Sequence, residues 1–75
     1  MDDKYNSKIF ELNLIKVRVE LARLNKNQAW LAAQVGETRQ RFNYYFLIKS
    51  LKHVDQIAKV LGINTQELIS AKIDF

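Results

Sequence analysis

The chain has 75 residues, 48% of them hydrophobic and 27% charged, a balance that fits one small globular domain and excludes a disordered, charge-rich chain. It has no cysteine, which removes disulfides, thiolate metal sites and thiol nucleophiles and favours a cytoplasmic reading; no run approaches the roughly 18 apolar residues of a membrane span, and the polar start Met1-Asp2-Asp3-Lys4 is unlike a signal peptide. The net charge of +4 is concentrated: residues 38–54 hold Arg39, Arg41, Lys49 and Lys52 with no acidic residue, and the remainder balances at eight basic and eight acidic groups, so any attraction for a polyanion centres on that stretch.

In chain order, residues 1–8 offer little beyond Tyr5 as an apolar anchor and read as a flexible arm. Ile9, Phe10 and Leu12 are too few to classify; they either begin the first helix or form a short strand before Asn13. From Leu14 the spacing Leu14, Val17, Leu21, Leu24 is helical, whereas Ile15, Val17, Val19, Leu21 alternates as a strand would. Glu20, Ala22, Arg23 and Leu24 are good helix formers, so a helix is preferred, closing at Asn25, which tolerates a left-handed backbone.

Asn27 suits the N-cap of a second helix running from Gln28 to about Val35, with Trp30, Leu31 and Val35 as apolar surface; Gly36 stops it. Glu37 and Thr38 form the turn, and Thr38 caps a third helix over residues 39–47. Ser50 is placed to cap a fourth helix whose apolar positions Leu51, Val54, Ile57, Ala58 and Leu61 repeat at three and four residues before Gly62. Asn64-Thr65-Gln66-Glu67 has the form of a capping box and predicts a short fifth helix carrying Leu68, Ile69 and Ala71. The expected architecture is an all-α, compact five-helix domain over residues 9–70, followed by a C-terminal tail, residues 71–75, whose Ala71, Ile73 and Phe75 pack on the domain or across a twofold axis.

Within this layout, Gln28, Ala32, Gly36, Phe42 and Tyr45 occupy positions 1, 5, 9, 15 and 18 of one window. A small residue at Ala32 lets a second helix approach, Gly36 takes the positive φ of the turn, and Phe42 and Tyr45, one turn apart, face the core. That spacing suits a helix-turn-helix, and it pushes Arg39, Gln40, Arg41, Asn43 and Tyr44 outward.

Two stretches carry a family resemblance. Asn27-Gln28-Ala29-Trp30-Leu31-Ala32-Ala33-Gln34-Val35-Gly36 and Ile57-Ala58-Lys59-Val60-Leu61-Gly62-Ile63-Asn64-Thr65-Gln66-Glu67-Leu68 resemble the opening and closing motifs of the lambda-repressor and Cro-like (XRE-type) helix-turn-helix regulators of phages and bacteria. The similarity covers about residues 14–69. It implies that helices 2 and 3 form the DNA-binding unit and that the third helix enters the major groove of double-stranded DNA. Arg39 and Gln40 would then reach base edges, with Tyr44 one turn further along the same face. Arg suits guanine and Gln suits adenine, each bidentate pair being worth about 1–3 kcal/mol of discrimination. Thr38, Arg41 and Asn43 would serve phosphates or bases. Gln28 would donate to a phosphate from the start of the second helix, and Lys49 and Lys52 would extend that grip.

The chain departs from the family pattern after Tyr45. An acidic residue and a Gly-containing loop are common there, whereas this chain has Phe46-Leu47-Ile48-Lys49-Ser50 and a connection about three residues shorter. The apolar run over residues 42–48 exceeds what one buried helix face needs, which favours a homodimer as the sink for the excess. The same surface supports an alternative, a protein-protein interaction module that holds a partner protein. Trp30 is assigned to the core or a subunit contact. His53, the only histidine, is assigned to the surface, and the carboxylates Glu37, Asp55 and Glu67 stand singly, so neither an enzyme, a metal site nor a cofactor is expected.

Overall fold

The computed structural model describes residues 9–72; the arm read at residues 1–8 and the tail residues Ile73 and Phe75 lie outside them. The elements are β1 (Phe10–Leu12), α1 (Leu14–Arg23), α2 (Gln28–Gln34), α3 (Arg39–Leu47), α4 (Val54–Leu61), a 3₁₀ turn (Thr65–Leu68) and β2 (Ile69–Ala71). The mostly helical expectation holds, but the all-α, five-helix architecture is corrected to four α-helices, a 3₁₀ turn and a two-stranded antiparallel sheet among the described residues.

The change at the C-terminal end has a local cause. The capping box forms, with Glu67 reaching back to the Asn64 N–H at 3.2 Å, but it supports a single turn. Leu68 is then drawn fully into the core, and the β-branched Ile69 takes an extended backbone at φ −111°, ψ 122°. Leu12 pairs with Ile69, Glu11 with Ser70 and Phe10 with Ala71, and the Asn13 N–H continues the ladder to the Leu68 carbonyl at 2.7 Å. An isolated two-stranded ribbon is marginal in water. Here Leu12 and Leu68, both buried, fasten it to the helices. Ala71, read as the start of a tail, is the last residue of β2.

Short-range polar side chains start three of the four helices. Asn13 accepts from the Lys16 N–H at 3.1 Å, Asn27 from Trp30 at 2.9 Å and Thr38 from Arg41 at 3.1 Å. The exception is α4. Ser50 accepts from the Lys52 N–H at 3.1 Å in a turn of its own, and the helix begins only at Val54 behind His53, which makes no side-chain cap.

All four α-helices end the same way. A residue with positive φ (Asn25 at 58°, Gly36 at 73°, Lys49 at 53°, Gly62 at 73°) reverses the chain, and the following N–H reaches back five residues, as from Glu37 to Ala32 at 3.0 Å and from Ser50 to Tyr45 at 2.8 Å. This pairing satisfies carbonyls that the helix end would leave open. Lys49 thereby supplies the reversal that Gly36 and Gly62 give after α2 and α4, and α3 stops at Leu47.

The core joins Val17 and Leu21 of α1, Leu31 and Ala32 of α2, Phe42 and Phe46 of α3, and Val54, Ile57, Ala58 and Leu61 of α4. Phe46, 4% exposed, is the second aromatic anchor of α3, its ring 4.6 Å from that of Phe42. Tyr45, assigned that place by its position in the window, is only half-buried. An i, i+4 pair falls on one helix face more squarely than an i, i+3 pair when the inner stripe is narrow. Trp30 lies partly buried against the core, with the Lys26 ammonium 5.3 Å from its ring centre.

Candidate nucleic-acid interface

The turn between α2 and α3 is built from Val35 to Thr38. Val35 is buried and Gly36 holds φ at 73°; a Cβ placed on Gly36 would meet nothing within 4 Å, so the left-handed backbone, not lack of room, is what favours glycine. Thr38, extended at φ −69°, ψ 153°, then caps α3. Ala32, 2% exposed, sits at the inner face of α2, where a larger side chain would enter the packed core beside α3.

With Phe42 and Phe46 turned inward, Thr38, Arg39, Gln40, Arg41, Asn43 and Tyr44 are all exposed along α3. Gln28, the first residue of α2, is half-buried, and its Nε2 donates to Asn43 Oδ1 at 2.8 Å. This bond joins the two helices on their solvent side and brings together two of the residues assigned to the interface. Lys49 is not among them: it stands beyond the C-terminal end of α3, and its Nζ is 3.4 Å from Glu11 Oε2 on β1. An ion pair partly neutralises the positive charge it could offer to a phosphate.

A second polar chain links the turn and α3 to the start of α4. His53, assigned to the surface, is instead half-buried, its Nε2 3.0 Å from Glu37 Oε2 and its Nδ1 2.9 Å from Gln56 Oε1. The other Glu37 oxygen accepts from the Thr38 N–H at 3.3 Å and faces the Arg41 guanidinium at 3.9 Å. The hydrogen bond from His53, with the Thr38 N–H, holds the Glu37 carboxyl below the usual carboxylate range. The His53 ring stands edge-on to Tyr45 at 5.4 Å, and the Lys52 ammonium donates to the Tyr45 hydroxyl at 2.8 Å, which raises its proton affinity. Glu37 and His53 are sixteen residues apart. Nothing in their spacing marks them as partners.

Several basic residues among the described ones are held in ion pairs. Lys16 bridges Glu20 and Glu67, Arg23 is bonded to the same buried Glu20, Lys49 meets Glu11 and Arg41 meets Glu37. Arg18, Lys26, Arg39, Lys52 and Lys59 have no ion-pair partner among the described residues, although Lys26 lies against Trp30 and Lys52 donates to Tyr45. Arg18, on α1, lines a groove of approximately 260 Å³ with Leu14, Gln28, Asn43, Phe46 and Leu47.

Apolar surface remains at the C-terminal end of α3, where Leu47 is 79% and Ile48 47% exposed, and on α1 at Ile15. Among the described residues no helix is long and apolar enough to cross a membrane, and no three His, Asp or Glu side chains gather as metal ligands would. Comparison with family models, curated proteins and solved structures finds no match to this chain.

Proposed function

We propose that this chain is a sequence-specific DNA-binding transcriptional regulator of the lambda-repressor and Cro-like type, acting in the cytoplasm. The observation that carries the reading is the face of α3: Arg39, Gln40, Asn43 and Tyr44 project into solvent from a helix anchored behind by Phe42 and Phe46 and linked in front to Gln28. A short helix held this firmly presents its side chains in a fixed register, which base readout requires. Arg39 and Gln40 read base edges, while Gln28, Thr38, Arg41 and Asn43 contact phosphates or further bases; Lys49 contributes a distal phosphate contact when it leaves Glu11.

The protein binds as a homodimer on a pseudo-palindromic site whose half-sites lie about one helical turn apart. The exposed Leu47 and Ile48 supply apolar area for the subunit contact. Selection from a pool of random duplexes, with light scattering to count subunits, tests the proposal. Enrichment of a common sequence is the expected result. Arg39→Ala and Gln40→Ala should alter the preferred bases, whereas Lys49→Ala should lower affinity evenly. Parallel losses on every sequence from all three would remove the base-reading assignment.

The same exposed apolar end of α3, with Tyr44, favours a second reading, a module that holds another protein by this surface. Absence of a gel shift on genomic fragments together with retention of a partner in a pull-down would select it.

A further inference from the structure

The geometry points to Arg18 as a backbone-phosphate contact, delivered from α1 into the edge of the DNA-binding surface. This inference rests on the DNA-binding reading of α2 and α3. Three observations lead to it.

Arg18 is exposed on α1, and its side chain borders the groove whose far wall is Gln28 and Asn43, the hydrogen-bonded pair that ties α2 to α3. It therefore shares a surface with residues assigned to DNA although it stands ten positions before Gln28 in the chain. The same groove is lined by the apolar side chains of Leu14, Phe46 and Leu47. An arginine stem can lie along such apolar side chains with its guanidinium in solvent, which limits the freedom the group has to lose when it binds.

The second observation is electrostatic. Lys16 and Arg23, the other basic residues of α1, are both committed to Glu20, whereas Arg18 has no carboxylate partner among the described residues. A cation already paired within the protein gains less from a phosphate than a free one, because it must first give up its own anion, as Lys49 must leave Glu11. An unpaired one exchanges only water and counterions. The third observation is alignment along α3: Arg39, also unpaired, lies one helical turn from Asn43, so Arg39, Asn43 and Arg18 form a row from the start of α3 across to α1. A planar, forked cation at the end of that row matches a phosphate that flanks the bases read by α3.

A phosphate contact has a signature that a structural role lacks: it changes the salt dependence of binding and does so on every sequence. The test compares the full chain with Arg18→Gln, Arg18→Met and Arg18→Lys, on a duplex selected from a random pool and on an unrelated duplex, across a series of salt concentrations. Both neutral variants should reduce the slope of log affinity against log salt by about 0.9 and weaken binding by about eightfold at roughly 0.1 M salt, equally on both duplexes. Arg18→Lys should restore the slope, while Arg39→Gln should change the ratio between duplexes. Circular dichroism and the unfolding midpoint, unchanged in either neutral variant, would establish that the fold is kept.

If the parent chain binds the selected duplex and either folded neutral variant keeps its slope and affinity, Arg18 is not a phosphate contact and the DNA-binding reading survives. A neutral variant that alters subunit number without altering the slope would likewise overturn the assignment, placing Arg18 in a protein contact. If the parent chain binds no duplex, both readings fall together.

Discussion

His53 Nε2 lies 3.0 Å from Glu37 Oε2, and this contact ties the turn between α2 and α3 to the residue that precedes α4. Because the other Glu37 oxygen accepts from the Thr38 N–H, one carboxylate joins the start of α3 to a separate helix, and the orientation of α3 depends on a pair distant in the chain.

The acid response of the fold follows from that carboxylate. Its folded-state proton affinity is lowered from the ordinary value of 4.5, chiefly by the His53 hydrogen bond. A depressed carboxylate contributes stability that is present above its unfolded value and is lost as pH falls through the folded one. Glu37→Gln should therefore destabilise the protein near neutrality, and the gap from the parent should close as pH falls below 4.5. Urea unfolding at neutral pH and at about pH 3 measures both limits; a gap that persists unchanged at low pH would assign the effect to packing instead.

At the other end of α3, Lys49 holds φ at 53° without being glycine. A left-handed backbone costs a residue with a Cβ roughly 1–2 kcal/mol, part of which is offset because glycine loses more freedom on folding. Lys49→Gly is expected to raise stability by about 0.5–1 kcal/mol even though the exposed Glu11 contact is lost. Lys49→Val should act in the opposite direction, since a β-branched side chain resists positive φ. Thermal and denaturant midpoints of the two variants decide it.

Of three neighbouring apolar or aromatic positions on α3, one should respond very differently from the other two. Phe46→Ala empties a buried site beside Phe42 and should cost about 3–5 kcal/mol, enough to unfold many domains of this size. Leu47→Ala, at a position 79% exposed, should stay within about 0.5 kcal/mol of the parent in a dilute monomer. Tyr45→Phe keeps the ring against His53 and loses only the hydroxyl that accepts from Lys52, so it should fall near the Leu47 variant. A loss at Leu47 that appears only at high protein concentration would identify that side chain with a subunit contact.

The Gln28–Asn43 hydrogen bond should appear in binding as non-additivity. If the two amides act as one unit toward DNA, Gln28→Ala and Asn43→Ala together should cost less than the sum of their separate effects, by about 0.5 kcal/mol or more. A double-mutant cycle on a selected duplex measures the term, and strict additivity would mean that each residue meets the DNA alone.

Much of this molecule was legible in single residues because helix ends obey short-range chemistry. Asn27 and Thr38 cap their helices, Asn25, Gly36 and Gly62 reverse the chain at helix ends, and Asn64 with Glu67 forms the capping box, all through bonds that span at most a few residues. The exposed row from Thr38 to Tyr44 follows from the same periodicity once Phe42 faces inward. Ser50 shows the limit of such reading, since a good capping residue formed a tight turn and left α4 to begin four residues later.

Tertiary structure alone decided what depends on distant partners. Phe46 displaced Tyr45 from the core because the inner stripe of α3 is fitted to helices elsewhere in the chain. Ile69 became a strand residue because the backbone at residues 10–12 offered it a ladder. Glu37 found His53, Gln28 found Asn43 and Lys49 found Glu11 across separations of 15 to 38 residues, where no local periodicity operates. Local preference sets which backbone shapes each segment can adopt; packing selects among them by which apolar faces can be buried together, and the long-range polar pairs follow from that choice.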